Sequence, residues 1–502
     1  MIFVLTVAVY LAVIMTVAIV KSRHAKTQDQ FMVAGRKVSA VFLAGTLVCT
    51  WIGSGSLFGG AGLAFREGLG DLWMSAGAWV GIAIVYFLAD RVRRISQYTV
   101  ADILEKRYNA AARLLGTLVV IVAYMAIAGY QFRGAGRLMN LVSQNVDGMP
   151  EISVETGRIV ACLAIIGFTM LAGLVSIVTI DIFNGILMTV GVLLAIPLAL
   201  TAVGGWDTVV STVPHTHFET FGQHGAWWAF GVFFPTLFLL LGESSMYQKF
   251  FAAKDARTAR RAVLGMIAGV VVLETALALL AVIGAGKYWN SPPFRGADGN
   301  LETAVTETII LFLARNDLPV LAGCLLIGAG MAIIFSTGNT FLMIPATNVT
   351  RDIYQRFINP NAPDSRIVLI QRVFIVVIGL VSFVLATQFT SILAMALTAY
   401  TMVGAGLTPA LLAAFLWKRV TPAGGVASIA SGMLVTTLLT IFQQPAGEIL
   451  GSWLGHTVEI SEYIIYPAVL SSIGALVAVS LATAPSPEEK WRPFMEEATA
   501  TV

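Results

Sequence analysis

The sequence predicts an all-α polytopic membrane protein. Its 502 residues are 57% hydrophobic and only 12% charged, whereas soluble domains carry about 25% charged residues. Apolar stretches also recur that are long enough to cross a bilayer as a helix, for which about 20 residues are needed. About thirteen transmembrane helices are predicted, at residues 1–20, 39–65, 70–90, 113–142, 155–173, 176–203, 226–249, 262–286, 319–350, 368–387, 390–416, 424–443 and 461–483.

The basic residues fall on one side of this predicted membrane. Of the 31 Lys and Arg residues, 24 lie in alternate loops or in the tail, whereas the loops at 204–225 and 444–460 contain none. Cytoplasmic loops carry an excess of Lys and Arg. We therefore expect a protein of the plasma membrane, in a bacterium the inner membrane, with its N-terminus outside and its C-terminus in the cytoplasm.

Composition and motifs argue against several classes of function. A net charge of +3 gives no reason to expect a nucleic-acid partner. The three cysteines lie in apolar stretches, which argues against a disulfide framework or a zinc site. The five histidines fall in predicted loops and complete no catalytic or metal-binding set, and a Walker-type phosphate loop is absent. We expect neither an enzyme nor an ATP-driven transporter, and no obligate protein partner.

A polar strip lies inside the predicted span 319–350. Ser336, Thr337, Asn339 and Thr340 fall within one and a half helical turns, so several oxygens share one strip of a buried helix. Polar groups at membrane depth are costly, and a cluster of oxygens suits a hard cation such as sodium. The alternative is that the hydroxyl groups bond back to their own helix.

The second predicted span contains a run that is unsuited to a continuous helix. Residues 50–62, TWIGSGSLFGGAG, are too rich in glycine and in small polar residues for a stable helix. We interpret this run as a broken helix, because interrupted spans place backbone carbonyls and half-helix ends at mid-membrane, where transporters bind ions and substrates. Close packing of helices through glycine is the alternative.

Five segments carry a family resemblance. Taken in order along the chain, they resemble the sodium:solute symporter family, and the resemblance covers most of the sequence. The pair Gln248-Lys249 departs from the family pattern, in which Gln-Arg is usual. The segments are FMVAGRKVSA at 31–40, YTVADILEKRYN at 98–109, GESSMYQKFFAAKDARTARRA at 242–262, AIIFSTGNTFLMIPATNVTRDIY at 332–354 and GLTPALLAAFLWKRVTPAGGVASI at 406–429.

The resemblance implies a leucine-transporter-type core of ten helices. Two five-helix repeats of inverted topology would occupy 39–203 and 226–416, joined by an outer loop at 204–225. The remaining parts would be an extra helix with an inner loop at 1–38, two extra helices at 417–483 and a cytoplasmic tail at 484–502.

The resemblance also implies a sodium site between the broken helix and the polar strip. Its ligands would be the carbonyl oxygens of Cys49, Ile52 and Ile333 together with the hydroxyl groups of Ser336 and Thr337. A carbonyl oxygen contributes whatever the side chain is, so the residue types at 49 and 52 are no objection.

Asp181 is an isolated carboxylate inside a predicted span, and such a residue is a functional candidate by default. In some members of the family the equivalent Asp completes a second sodium site, which here would include Asn339 and Thr340. Asn339 stands where those members carry Ser. The alternative is that Asp181 interacts with the first ion or with a helix end.

The solute cavity is predicted around the break in the helix, at Trp51, Gly53 and Ser54. On the facing span, Arg133 is a guanidinium group inside the membrane and would clamp a carboxylate, with Tyr130 or Gln131 assisting. The alternative is that Arg133 extends to water at the end of its helix. Two further acidic residues lie in or near spans: Glu243 is expected near the cytoplasmic gate, and Glu274 has no family role.

Together these features predict a sodium-coupled secondary active symporter that imports a small organic solute across a lipid bilayer by alternating access. The solute would be a small molecule, and a carboxylate on it is one hypothesis. The alternatives are a proton-coupled symporter of the same fold and a membrane sensor. The chain ends about 20 residues after its last predicted span, so a signalling domain is not expected.

Overall fold

The computed structural model describes residues 1–21, 27–95, 97–296, 298–389, 391–454 and 458–495. Two basic residues used to predict topology, Arg23 and Lys26, and residues 496–502 of the predicted tail lie outside the described residues. Within the described residues no β-strand forms, and two isolated backbone bridges join Val38 to Ala253 and Arg295 to Leu301.

The helices of the first half begin and end as follows: α1 (Ile2–Lys21), α2 (Gln28–Val33), α3 (Ala40–Trp51), α4 (Ala61–Glu67), α5 (Leu72–Tyr86), α6 (Ala89–Ile95), α7 (Val100–Arg107), α8 (Ala110–Ser143) and α9 (Val154–Val203). A π-helical turn (Gly55–Gly60) precedes α4, and short 3-10 turns lie at Ala34–Arg36 and Gly68–Asp71.

The helices of the second half are α10 (Trp206–Thr212), α11 (Gly225–Gly242), α12 (Ser244–Ala252), α13 (Ala256–Tyr288), α14 (Thr303–Thr306), α15 (Ile309–Asn316), α16 (Val320–Asn348), α17 (Asp364–Leu385), α18 (Ile392–Gly406), α19 (Thr408–Leu416), α20 (Pro422–Ile441), α21 (Gln443–Leu454), α22 (Ile465–Ala482) and α23 (Glu488–Met495). A second π-helical segment is Val349–Ile358, and 3-10 turns lie at His215–Phe218, Pro292–Phe294, Ala386–Gln388 and Ile460–Glu462.

Twelve helical runs in the described part of the chain are long and apolar enough to cross a membrane. The predicted span 39–65 does not form one of these helical runs by itself, because it is divided into two pieces. Its first piece, α3, has only 12 residues, and its second piece continues through Gly68–Asp71 into α5, so that Gly55–Tyr86 forms one helical run. The predicted spans 155–173 and 176–203 meet in α9, which is kinked where Gly173 adopts a positive φ of 61°.

Two helices are interrupted in the same way. Helix α3 ends at Ile52, whose backbone is extended at φ −73° and ψ 103°. Helix α11 ends at Glu243 with nearly the same angles, φ −71° and ψ 102°, before α12 begins. These breaks open the segments 39–203 and 226–416, which supports their division into two repeats. The repeat boundaries themselves stay a prediction.

Helix α16 lies at the centre of the molecule. It packs against α3, α8 and α9, and every residue from Leu326 to Asn348 is buried. A helix that is buried on all sides belongs to the interior of a large bundle. The polar strip of α16 is therefore enclosed by protein and faces the break in α3 rather than lipid.

The helices outside the predicted ten-helix core pack closely through glycine, and a substitution at one glycine position can test this packing. A Cβ atom on Gly432 of α20 would lie 2.1 Å from the carbonyl oxygen of Ala405 on α18, whereas one on Gly474 of α22 would meet nothing within 4 Å. We expect Gly432→Ala to lower the free energy of unfolding by about 1–3 kcal/mol through overpacking.

The matched variant Gly474→Ala should leave stability unchanged or raise it by less than about 1 kcal/mol, because alanine is the better helix former. Thermal unfolding of the two purified variants in detergent measures the difference. Equal melting temperatures would contradict the packing described here.

Candidate functional site

The break in α3 brings its last carbonyl oxygens against the polar strip of α16. Ser336 Oγ donates a hydrogen bond to the carbonyl oxygen of Cys49 at 2.8 Å. Thr337 Oγ1 lies 3.3 Å from the carbonyl oxygen of Cys49, 3.3 Å from that of Thr50 and 3.0 Å from that of Ile52. Four of the five residues predicted to bind sodium therefore meet in one place.

The local sequence explains why these carbonyls are free. The last carbonyl groups of a helix have no partner within the helix, and the extended backbone at Ile52 ends α3 before they can be covered. The fifth predicted residue, Ile333, is buried in α16 one turn before Thr337. Cys49, Ile52, Ser336 and Ile333 have 0% of their surface exposed, and Thr337 has 2%, so water is largely excluded from this cluster.

Asp181 lies next to the same break. It is fully buried, its Oδ2 accepts a hydrogen bond from Thr46 Oγ1, and its main-chain oxygen accepts one from Cys49 Sγ at 3.0 Å. Asn339 and Thr340 have other partners. Asn339 Oδ1 accepts from Thr169 Oγ1 at 3.1 Å.

Thr340 Oγ1 lies 3.2 Å from Thr50 Oγ1. Among the described residues, no hydrogen bond joins Asp181 to Asn339 or Thr340. Asp181 on the one hand, and Asn339 and Thr340 on the other, therefore have separate hydrogen-bond partners.

Lys249 is the residue of this region that sequence reasoning missed. Its Nζ donates to the carbonyl oxygen of Thr46 at 2.9 Å and to Thr50 Oγ1, and the side chain has 0% exposure. Thr46 also donates to Asp181, so one threonine links the buried ammonium group to the buried carboxylate. The sequence carried one sign that Lys249 is unusual, because Gln248-Lys249 departs from the family's Gln-Arg pattern. That departure did not indicate where the Lys249 side chain points.

The residues predicted to line the solute cavity gather mostly at the break. Gln131 Oε1 accepts a hydrogen bond from the backbone N–H of Ser54 at 2.9 Å. A Cβ atom on Gly53 would lie 2.9 Å from Thr337 Cγ2 and 3.0 Å from Gln131 Nε2, so glycine is required for this approach. Ser54 Oγ and Gln131 Nε2 are buried and have no hydrogen-bond partner within the described residues, which leaves both atoms available to a ligand.

Two aromatic residues complete this side of the break. Tyr130 OH lies 3.4 Å from Tyr400 OH, and both hydroxyl groups lie close to Gly55. The Trp51 side chain extends toward Glu274 instead, and its Nε1 donates a hydrogen bond to Glu274 Oε1 at 2.9 Å. Glu274 Oε2 accepts from Trp79 Nε1 at 3.0 Å.

Arg133 is the predicted cavity residue that the structure places elsewhere. Its Nη1 donates to the carbonyl oxygens of Ala386 and Phe389. These carbonyls follow the C-terminal end of α17, where a cation is favourable. Glu243 caps the N-terminal end of α12, and its carboxylate accepts hydrogen bonds from Tyr124 OH and from the backbone N–H groups of Ser245 and Met246.

An interrupted helix whose carbonyls face a strip of hydroxyl groups in the middle of a buried bundle is typical of membrane transporters. The chain belongs to the sodium:solute symporter family, whose sequence profile matches residues 31–432. It is accordingly a multi-pass membrane protein of a sodium-coupled transporter family and not an enzyme, as predicted, and its substrate is a small molecule.

Two related transporters match almost the whole chain. The sodium/proline symporter of Escherichia coli (strain K12) is 25% identical over 504 residues, which are 96% of this chain and 93% of that protein. The sodium/proline symporter of Staphylococcus aureus is 22% identical over 503 residues, with 95% and 92% covered.

Two solved structures share the fold. A Na+-coupled sialic acid symporter in a substrate-bound outward-open state aligns with a TM-score of 0.75 at 17% identity, covering 97% of this chain and 99% of that one. Mhp1, a nucleobase-cation-symport-1 family transporter, aligns with a TM-score of 0.57 at 11% identity, with 94% and 98% covered. At these identities the likeness establishes the fold alone, and the predicted leucine-transporter-type architecture is confirmed.

The contacts of Arg133 lead to a prediction that separates a structural from a solute-binding role. Because Arg133 donates to carbonyls beyond α17, we expect Arg133→Ala to lower the melting temperature of the purified protein by several degrees, in line with a loss of about 1.5–3 kcal/mol. The solute concentration at half-maximal uptake should stay within about twofold of the parent value, because a change in folded fraction alters the maximal rate and not the affinity.

Uptake by reconstituted vesicles, normalised to folded protein, gives this second quantity. An unchanged melting temperature together with a loss of solute affinity of about tenfold or more would show instead that Arg133 binds the solute.

Proposed function

We propose that this protein is a sodium-coupled secondary active symporter that imports a small organic solute by alternating access. The observation that carries the proposal is the meeting of the Cys49 and Ile52 carbonyl oxygens with Thr337 Oγ1, at 3.3 Å and 3.0 Å. Family membership makes sodium the expected coupling ion. It enters as transported cargo and not as a resident cofactor.

The sodium site has five oxygen ligands. They are the carbonyl oxygens of Cys49, Ile52 and Ile333 and the hydroxyl oxygens of Ser336 and Thr337. Each hydroxyl group has lone pairs as well as a hydrogen, so rotation of the O–H bond away from the carbonyls turns both sets of oxygens toward a cation. All five ligands are neutral, and the carboxylate of Asp181, whose main-chain oxygen accepts a hydrogen bond from Cys49 Sγ, attracts the ion electrostatically.

Coupling follows from where these ligands lie. The carbonyls belong to the broken helix and the hydroxyls to α16, so an ion between them fixes one helix against the other. The same break carries Gly53 and Ser54 of the solute cavity. Sodium therefore raises the population of the conformation that binds solute, and the membrane potential contributes about 2.3 kcal/mol per charge per 100 mV.

We further propose that one sodium ion, and not two, is carried per cycle. The hydroxyl group of Thr50, which neighbours Thr340, already accepts a hydrogen bond from the Lys249 ammonium group. Like charges repel more strongly inside a protein than in water, because the effective dielectric constant is lower. A second ion among Asp181, Asn339 and Thr340 would meet this repulsion, so Lys249 acts as a tethered cation in its place.

The solute is proposed to bind at Trp51, Gly53, Ser54, Tyr130 and Gln131. The buried Ser54 Oγ and Gln131 Nε2 atoms without partners in the described residues are its polar contacts. The carboxylate clamp predicted for Arg133 has less support, because that guanidinium group binds backbone carbonyls. The proline symporters among the relatives support a solute about the size of an amino acid.

The proposed location is the plasma membrane, with the N-terminus outside and the C-terminus in the cytoplasm. The charge distribution of the loops supports this orientation. The principal rival function is proton-coupled symport by the same fold. Uptake measured at constant pH with and without sodium separates the two, because a proton-coupled transporter retains its rate when sodium is replaced by choline.

The ion site is tested by removing one hydroxyl at a time. We expect Ser336→Ala and Thr337→Val to raise the sodium concentration at half-maximal uptake by about tenfold, the equivalent of about 1.4 kcal/mol of ion binding. Valine keeps the shape of threonine, so packing against the break is preserved.

Thr189→Val is the matched control, because Thr189 Oγ1 donates only to the carbonyl oxygen of Gly185 in its own helix. It should keep the parent's sodium dependence. Parental sodium dependence in both Ser336→Ala and Thr337→Val would rule out this assignment of ligands.

A further inference from the structure

A small acidic cavity lies on the other side of the break from the sodium ligands. Its volume is about 10 Å³, and its polar lining consists of Ser56, Asp71, Ser75 and Glu274. The cavity is enclosed by the π-helical turn Gly55–Gly60, by the start of α5 and by α13. A volume of this size holds one water-sized species.

One carboxylate of this cavity has an oxygen available to a ligand. Asp71 is only 3% exposed, and its Oδ1 has no hydrogen-bond partner within the described residues. A buried polar atom without a partner costs free energy. Its presence beside a cavity of matching size therefore points to an occupant that donates hydrogen bonds.

The second carboxylate is held in place by donors. Both oxygens of Glu274 accept a hydrogen bond from an indole N–H, one from Trp51 at 2.9 Å and one from Trp79 at 3.0 Å. An indole only donates, so these contacts favour negative charge on Glu274. Trp51 is also one of the residues of the proposed solute cavity, so a residue of that cavity is in direct contact with Glu274.

The carboxylates of this cavity lack a direct ion-pair partner within the described residues. In the described part of the chain neither Asp71 nor Glu274 forms an ion pair with a basic side chain. The basic residue Arg66 donates to Thr306 Oγ1 at 2.8 Å. Uncompensated buried carboxylates are costly, and a cation that binds between them removes much of that cost.

We propose that this cavity binds a compact monovalent cation, and that this cation is the protonated amino group of the transported solute. An ammonium group is about the size of a water molecule and has three donors and no acceptor, which suits two carboxylates and two serine hydroxyl groups. The solute is then an amine or a zwitterion, with its ammonium group toward Asp71 and Glu274 and the rest of the molecule toward Ser54 and Gln131. This inference rests on the proposed function.

The first test is a comparison of matched solutes. Purified protein in saturating sodium is heated with a panel of amines and their amine-free counterparts, including L-proline against tetrahydrofuran-2-carboxylate and L-alanine against propionate. We expect stabilisation by at least one amine and none by its counterpart. Stabilisation by neutral or purely anionic solutes, or by no amine of the panel, overturns the proposal.

The second test uses the variants Asp71→Asn and Glu274→Gln, which keep side-chain shape and remove charge. Each should raise the amine concentration needed for half-maximal stabilisation by about tenfold or more, because hydrogen bonds to charged groups are strong. Stabilisation by sodium alone should keep its parental midpoint, which also shows that the variants are folded. Glu219→Gln, in an exposed loop, is the control and should change neither quantity.

The two sources of the cation give different results. If the cavity holds a free sodium ion, the sodium midpoint rises in Asp71→Asn and Glu274→Gln while preference for the amine is unchanged, and the proposal is overturned. Failure of the proposed function is distinguishable, because the unmodified protein would then lack any dependence on sodium. Failure of this inference alone leaves sodium dependence intact.

Discussion

The contact between the broken end of α3 and the hydroxyl groups of α16 is the interaction on which the rest of the site depends. Ile52 is extended, so the carbonyl oxygens of Cys49, Thr50 and Ile52 leave the helical ladder and meet Ser336 and Thr337. In a lipid bilayer an unpaired carbonyl is costly, and here hydroxyl groups of a neighbouring helix satisfy it. A sodium ion competes for the same oxygens, so ion binding and helix packing are alternative uses of one set of atoms.

Charges around this contact divide the break into two sides. On one side Thr46 accepts from Lys249 through its carbonyl and donates to Asp181 through its hydroxyl, which places a cation and an anion of the protein beside the ion site. On the other side Trp51 and Trp79 hold Glu274 near Asp71. The protein's own ammonium group thus lies on one side of the break, and carboxylates without an ion pair in the described residues lie on the other side, where the solute is proposed to bind.

Much of this arrangement was predictable from sequence. The glycine-rich run at 50–62 predicted the break because glycine and small polar residues destabilise a helix, and the spacing of Ser336 and Thr337 placed both hydroxyls on one strip. The direction in which a side chain extends toward residues distant in sequence was not predictable. Arg133 is a plausible carboxylate clamp by type and depth, yet it extends to carbonyls beyond α17, about 250 residues away along the chain. Lys249 and Asp71 could not be assigned either, because their surroundings come from helices distant in sequence. Twelve helical runs of membrane-spanning length form in the described residues instead of the thirteen predicted spans, because the divided span 39–65 contains no single long helix of its own.

One sodium ion is proposed to bind where the broken helix meets α16, and Lys249 is proposed to take the place of a second ion. The most direct measurement is the number of radioactive sodium ions bound at saturation per molecule of purified protein, for the unmodified chain and for Lys249→Gln. We expect one ion in the unmodified protein and up to two in the variant. Two ions in the unmodified protein, or no saturable binding, would contradict it.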